Sequence, residues 1–169
     1  MVKWPWILAV ALLSACASYS GSNLKPGEAG VEDVLREMGP PAMRWSDADG
    51  SIQLAYPRGP NGLHTFMARI GADGKLQTIR NVLEPETFAR ILPGMTKDQV
   101  LRLLGPSEPS KTAYFKARDE LVWSWRYRMV PGDSAQFLVL FDATTGKVRS
   151  TMTQIEDLVP GLPDVAVGR

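Results

Sequence analysis

Apolar and polar positions along the chain follow two different periods, and the switches between them mark out its elements. Val31, Val34, Leu35 and Met38 fall on one side of a short predicted helix over 31–38, and Gly39-Pro40-Pro41 stops it. Strands are predicted around 43–45, 51–56, 65–70 and 75–82, with Asp49-Gly50 and Asp73-Gly74 as hairpin turns. Ile52, Leu54 and Tyr56 alternate with polar or small neighbours, the pattern of a strand buried on one face.

The same alternation of periods then recurs. Residues 84–91 predict a helix with Pro85 in its first turn and acidic side chains at its positive end. Residues 91–106 read as a turn, a capped helix and a stop. Thr96 is suited to the N-cap, and Gln99, three residues on, completes a capping box. Val100, Leu101, Leu103 and Leu104 form the apolar face, while Lys97, Asp98 and Arg102 stay in water; Gly105 and Pro106 end the helix. Strands are predicted around 111–115, 120–129, 136–141 and 147–153. Leu121, Trp123, Trp125, Tyr127 and Met129 alternate with Val122, Ser124, Arg126 and Arg128. That aromatic face is either core beneath a helix or a stripe for a partner. Beyond residue 156 no period survives and Pro and Gly recur, so 156–169 is predicted to be a disordered tail in which Leu158, Val159 and Leu162 are available to dock.

The two halves align. Pro26-Gly27 answers Pro93-Gly94, Val34 to Pro40 answers Val100 to Pro106, and Gly74-Lys75-Leu76 answers Gly146-Lys147-Val148. The predicted fold class is therefore α+β: two tandem repeats, each a short helical segment on a small antiparallel sheet, over 26–83 and 84–155. Each sheet is expected to hide one apolar face beneath its own helix.

Composition narrows the chemistry. The chain has 169 residues, one cysteine (Cys16) and one histidine (His64), which rules out a disulfide framework and a Cys/His zinc cage. Any Ser-His-Asp arrangement would depend on His64, at a turn leading into a strand, where a solvated or hydrogen-bonded histidine is the simpler reading. No Gly-rich phosphate loop of useful spacing occurs. With Lys3 in a segment expected to be removed, 18 basic groups face 18 acidic ones, a balance unlike that of a nucleic-acid binder. No enzymatic activity and no cofactor or metal are predicted.

Residues 1–15 have the form of a targeting segment: Lys3, an apolar run over 7–13, and Leu13-Ser14-Ala15-Cys16. The run is shorter than the ~20 residues a bilayer-spanning helix needs. This Leu-Ser-Ala-Cys sequence resembles the lipobox of bacterial lipoproteins. The resemblance implies cleavage before Cys16, a diacylglycerol thioether on its sulfur and an acylated amino group. Several acyl chains anchor firmly, since each buried CH₂ contributes about 0.8 kcal/mol. Residues 16–25 would be a lipidated flexible tether. Ala17, where an aspartate would favour the inner membrane in enterobacteria-like sorting, implies the outer membrane with the folded part facing the periplasm.

Behind this segment, Ile91, Pro93-Gly94-Met95-Thr96-Lys97-Asp98-Gln99-Val100, the Leu103-Leu104-Gly105-Pro106 stop and the Trp123-Trp125-Tyr127 strand resemble the SmpA/OmlA, or BamE-like, lipoprotein domain. The resemblance covers roughly 86–153, and 25–82 only through the repeat. It implies two helices on a three-stranded antiparallel sheet, and a non-catalytic accessory role in outer-membrane β-barrel assembly with protein neighbours and phosphatidylglycerol as partners. A tandem of such units also resembles the β-lactamase inhibitor protein, which implies the alternative of an inhibitor or sensor of a periplasmic enzyme. Candidate partner or headgroup contacts are Lys111, Lys116, Arg118, Arg126 and Arg128, unless Asp119 and Glu120 simply offset a solvated face. Trp45, Tyr56 and Tyr114 are candidate aromatic anchors for the alternative, or ordinary core.

Overall fold

The computed structural model describes residues 20–58, 62–129 and 133–156. The targeting segment 1–15, Cys16, the tether up to residue 19 and the tail from 157 onward lie outside the described residues.

The fold is α+β, with two antiparallel four-stranded sheets and few helices. Helix α1 (Val31–Met38) precedes β1 (Met43–Ser46), β2 (Ile52–Arg58), β3 (His64–Ile70) and β4 (Leu76–Asn81), which pair in chain order. A single helical turn, α2 (Pro85–Phe88), and helix α3 (Lys97–Leu104) precede β5 (Ala113–Phe115), β6 (Glu120–Arg128), β7 (Ser134–Asp142) and β8 (Val148–Ile155), again in chain order. The strands pair into two separate sheets. Each has four strands, where the lipoprotein-domain resemblance implies three. No helix among the described residues is long and apolar enough to cross a membrane.

Local chemistry accounts for the punctuation. Thr96 Oγ1 accepts from the Gln99 amide (3.3 Å), and Gln99 Oε1 accepts from the Thr96 amide (2.8 Å), so the capping box is formed. Helix α1 starts from Gly30, which has no side chain to cap with, and only the return bond forms, from the Gly30 amide to Asp33 Oδ2. Both helices end on a glycine with φ near +80° or +74° and ψ near −170°, at Gly39 and Gly105. That region is beyond the left-handed helical one and is essentially open only to glycine.

The halves carry matching hydrogen bonds at their sheet edges. The Gly27 amide donates to Leu76 O while the Leu76 amide donates to Ala29 O; the Gly94 amide donates to Val148 O while the Val148 amide donates to Met95 O. A register irregularity falls between Arg69 and Ile70 in the first sheet and between Leu140 and Phe141 in the second.

The layering departs from one helix per sheet. Leu54, Tyr56, Ala68, Ile70 and Leu76 pack with Val34 and Met38 of α1 on one face of the first sheet. Its opposite face, with Ala55 and Met67, joins a second core with Val100 and Leu104 of α3 and Trp125, Phe137, Val139 and Phe141 of the second sheet. The expectation of one buried face is thus corrected for the first sheet, because α3 packs on both sheets. Four polar contacts hold α3 to the first sheet side: Gln53 Nε2 donates to Arg102 O, Arg102 bonds Asp47 Oδ1 at 2.7 Å, and Trp45 Nε1 donates to Asp98 Oδ1 at 3.1 Å, with Arg102 also lying over the Trp45 ring. Val100 and Leu104 are fully buried, each contributing about 1.5–3 kcal/mol. Trp125 Nε1 donates to Gly105 O, and Phe88 stacks on Phe137 with ring centroids 4.1 Å apart, so α2 closes the same core. The predicted helix over 84–91 is one helical turn, since burial of Thr87 and Phe88 ties it to that core.

Candidate binding surface

The second sheet has two unlike faces. Leu121, Trp123, Trp125 and Tyr127 of β6 lie opposite Phe141, Val139, Phe137 and Ala135 of β7, and this face meets α3. The aromatic stripe is therefore core. Lys97 Nζ lies 5.9 Å from the Trp123 ring, which covers the half-buried end of the row.

The other face carries no α-helix among the described residues, although Val122 and Ser124 on its β6 side are buried. By register it presents Val122, Ser124 and Arg126 of β6, Leu138, Leu140 and Gln136 of β7, and Met152 of β8, with Ala113 and Phe115 at the short edge strand β5. Leu138 and Leu140 are half-buried, Met152 is 51% exposed and Phe115 is 37% exposed. An apolar centre thus lies between two polar ends.

Those ends engage two of the predicted contact cations, Arg118 and Arg126. Arg118 pairs with Glu120 at 2.9 Å and its guanidinium lies 4.5 Å from the Phe115 ring centre. Arg149 beside it pairs with Asp142 at 2.6 Å and donates to Arg118 O. Hydrogen bonds from the Thr145 amide and then from Arg149 hold the Asp142 carboxyl down at about 2. At the other end, Arg126 Nε and Nη2 grip Glu156, at 2.6 Å for the shortest contact, and Gln136 Nε2 also donates to it. The Arg126 bonds are the main reason the Glu156 carboxyl titrates lower than usual, and the charge of Lys111 adds to them. Glu156, assigned from the sequence to the tail, is thus an ordered residue clasped to the sheet. Arg118 and Arg126 are each engaged in an ion pair within the fold, Arg118 with Glu120 and Arg126 with Glu156.

The remaining candidates are spread. Lys116 opens the 3-10 turn Lys116–Arg118 and is exposed. Arg128 is exposed at the end of β6, where it lines an open cleft of ≈400 Å³ together with Leu63, His64, Asn81, Leu83, Glu84 and Met129. His64 is half-buried at the start of β3 and stacks against Phe66. Of the aromatic anchors, Tyr114 is 56% exposed; its hydroxyl donates to Asp119, whose other oxygen accepts from the Thr144 hydroxyl and amide. Asp119 takes φ +46° to close this turn. Tyr56 and Trp45 do not serve as free anchors. Tyr56 is 2% exposed in the core beneath α1, with its hydroxyl unpartnered among the described residues, and burial raises its pKa. Trp45 is half-buried between β1 and α3. Among the described residues no group of three His, Cys, Asp or Glu side chains is placed to hold a metal. Cys16 lies outside the described residues.

The bare apolar centre is the feature the sequence reading missed. Its signal was present in β7, where Phe137, Leu138, Val139, Leu140 and Phe141 are apolar at both parities, the pattern of a strand with both faces apolar.

No family model and no curated protein sequence matches this chain. Among solved structures, it is similar to an extracellular protein containing an SCP domain from Bacillus anthracis str. Ames, with 15% sequence identity and a TM-score of 0.28. The alignment covers 94% of this chain and 51% of that one, so the chain spans about half the length of that protein. The likeness is too slight to carry an argument about fold or function.

Proposed function

We propose that this chain is an outer-membrane lipoprotein facing the periplasm, anchored through Cys16, with a non-catalytic binding or scaffold role like that of the BamE-type accessory subunit of β-barrel assembly. The observation that carries the reading is Leu13-Ser14-Ala15-Cys16 at the end of a short apolar run behind Lys3, followed by Ala17. The capped helix Lys97–Leu104 adds to it, because the residues that resemble the lipoprotein domain include those forming the Thr96–Gln99 box and the Gly105 stop.

On this reading the chain holds two tandem units of one design. The matching edge hydrogen bonds at Gly27 and Gly94, the matching helix stops at Gly39 and Gly105, and the strand irregularity at the same place in each sheet all support duplication. A partner surface at the β5 edge has the support of Tyr114 and Phe115, exposed aromatics followed in the chain by the exposed Lys116. The inhibitor alternative has less support, since two of its three aromatic anchors, Trp45 and Tyr56, are occupied inside the fold.

Membrane fractionation with mass spectrometry of the native N-terminus tests the anchor. The expected result is a triacylated Cys16 in the outer-membrane fraction, and release of the chain by Cys16→Ser. An unmodified, freely soluble N-terminus refutes it. Crosslinking in intact cells tests the partner; capture that lacks every β-barrel assembly component removes the assembly role and leaves the anchor standing.

A further inference from the structure

We propose that the open edge of β8 pairs with the same edge of a second copy of this chain, antiparallel about Met152, so that two four-stranded sheets join into one. This goes beyond the anchoring reading and does not depend on it.

The ladder fixes which backbone groups are open. Ser124 O accepts from the Glu108 amide, so Ser124 turns its backbone away from β7. Antiparallel partners alternate between pairs that exchange hydrogen bonds and pairs that do not. Ser124 and Leu138 are then a pair without such bonds, and Leu138 and Met152 a pair with them. Met152 therefore points its amide and carbonyl at β7, while Thr151, Thr153 and Ile155 point theirs outward. These outward groups have no partner among the described residues. Val148 also faces outward, but its amide donates to Met95 O and its carbonyl accepts from the Gly94 amide. The free stretch is thus 149–155, and its side chains from Arg149 to Gln154 are exposed whichever face they lie on.

Such an edge is a template for a further strand, and proteins ordinarily blunt it with charge, proline or a covering segment. The matching edge of the first sheet, β4, is blunted in two of these ways. Counting from Leu76 and Val148, it holds Arg80 where β8 holds Met152. A Cβ at Gly21 would lie 3.0 Å from Ile79 Cδ1, so the chain before α1 covers β4 from the side. On β8, residues 150–155 carry neither charge nor proline.

The free stretch is suited to its own copy. Its midpoint is Met152, so a two-fold axis there matches 149–155 with 149–155 and leaves Gly94 and Met95 of each copy just beyond the contact. In that register Thr151 and Thr153 face each other twice, and their open groups form four N–H···O bonds. Leu138 and Met152 are direct neighbours on the bare face, so the apolar row continues through both Met152 side chains to the second copy's Leu138. Arg149, the one charge in the stretch, falls opposite Ile155, so no like charges meet. The contact is small beside a standard interface of about 1,600 Å², so the pairing is expected to depend on concentration.

The test is disulfide trapping in the full chain, with peptide mapping to set aside links through Cys16. In a pair without hydrogen bonds the Cα atoms stand about 4.5 Å apart, within disulfide reach. Met152→Cys is expected to link to itself under mild oxidation. Ser150→Cys and Gln154→Cys face one another, so each is expected to stay unlinked alone and to link when the two are mixed. Sedimentation reads the association without added cysteines. The native chain is expected to approach twice the monomer mass as concentration rises, and Met152→Lys, which sets like charges opposite each other, to weaken pairing about tenfold. Position 152 is exposed on an edge strand, so the fold survives both substitutions there. A chain that stays monomeric, with Met152→Cys unlinked, overturns the proposal. Association that Met152→Lys leaves unchanged overturns it too, because the contact then lies elsewhere, and self-linking of Ser150→Cys overturns the register. A link from position 152 only to a different, co-purified protein overturns it in favour of a foreign strand on the edge.

Discussion

Replacing Gly105 with alanine isolates the contact that joins the two halves. Gly105 is buried, has φ +74° and ψ −169°, and its carbonyl accepts the Trp125 indole proton. A Cβ at this position would lie 2.8 Å from Thr65 Cγ2 and 3.4 Å from Ala55 Cβ. Thr65 is 2% exposed and β-branched, with no flexible end to swing away, so α3 or β3 must shift. Backbone strain in this region costs about 1–3 kcal/mol for a non-glycine residue. Forcing a methyl group into a packed site costs about 1–3 kcal/mol more. The sum, about 2–6 kcal/mol, is large against the 5–15 kcal/mol of a typical domain. Gly94→Ala is the matched control: φ is +89° there, but nothing lies within 4 Å of the added methyl, so only the backbone cost applies. Urea unfolding followed by tryptophan fluorescence reads both. With a slope of about 1–3 kcal/mol per molar urea, the Gly105→Ala midpoint falls below that of Gly94→Ala by about 1 M. If the two midpoints coincide, close packing of α3 on the first sheet is not what requires a glycine at 105, and the layered arrangement is wrong at its joint.

Further predictions follow the same logic. Tyr56→Phe removes a buried hydroxyl that has no partner among the described residues and is expected to leave stability unchanged or raise it by about 1 kcal/mol; a loss above that in chemical denaturation would show that the hydroxyl is used. Thr96→Ala breaks the capping box and is expected to cost about 1 kcal/mol in the same assay, whereas Thr78→Ala, on an exposed face of β4, is expected to cost less. Asp142 titrates near 2 when folded against an ordinary 3.8, so its stabilising contribution is complete above the ordinary value and is lost as pH falls through the folded one. Melting temperatures between pH 6 and pH 2 should therefore fall more steeply for the native chain than for Asp142→Asn, and equal slopes would contradict the hydrogen bonds from Thr145 and Arg149.

Much of the fold is legible locally. The Thr96–Gln99 box, the glycine stops at 39 and 105 and the alternation of β6 each depend on neighbours within a few residues, and each forms as read. What the sequence leaves unreadable depends on contacts between the halves. Ala55 and Met67 are ordinary members of β2 and β3 until α3 packs on them. Trp45 and Tyr56 read as either anchors or core until their packing is known, and Gly105 reads as a helix stop with no hint that Thr65 crowds it. The candidate surface shows the same division. Arg126 reads in the strand pattern as a solvent-facing cation; its partner, Glu156, is thirty residues away and falls where the periodicity had already stopped. Local pattern carries the elements, and the pairing of remote side chains carries the surface.

The order of layers gives the molecule a direction. One terminus of the pile is roofed by α1, and every sheet surface below it is occupied until the last, where β6, β7 and β8 face outward. Among the described residues, α3 lies on a face that the first sheet leaves open, and the corresponding outward surface of the second sheet is where a further layer would be set.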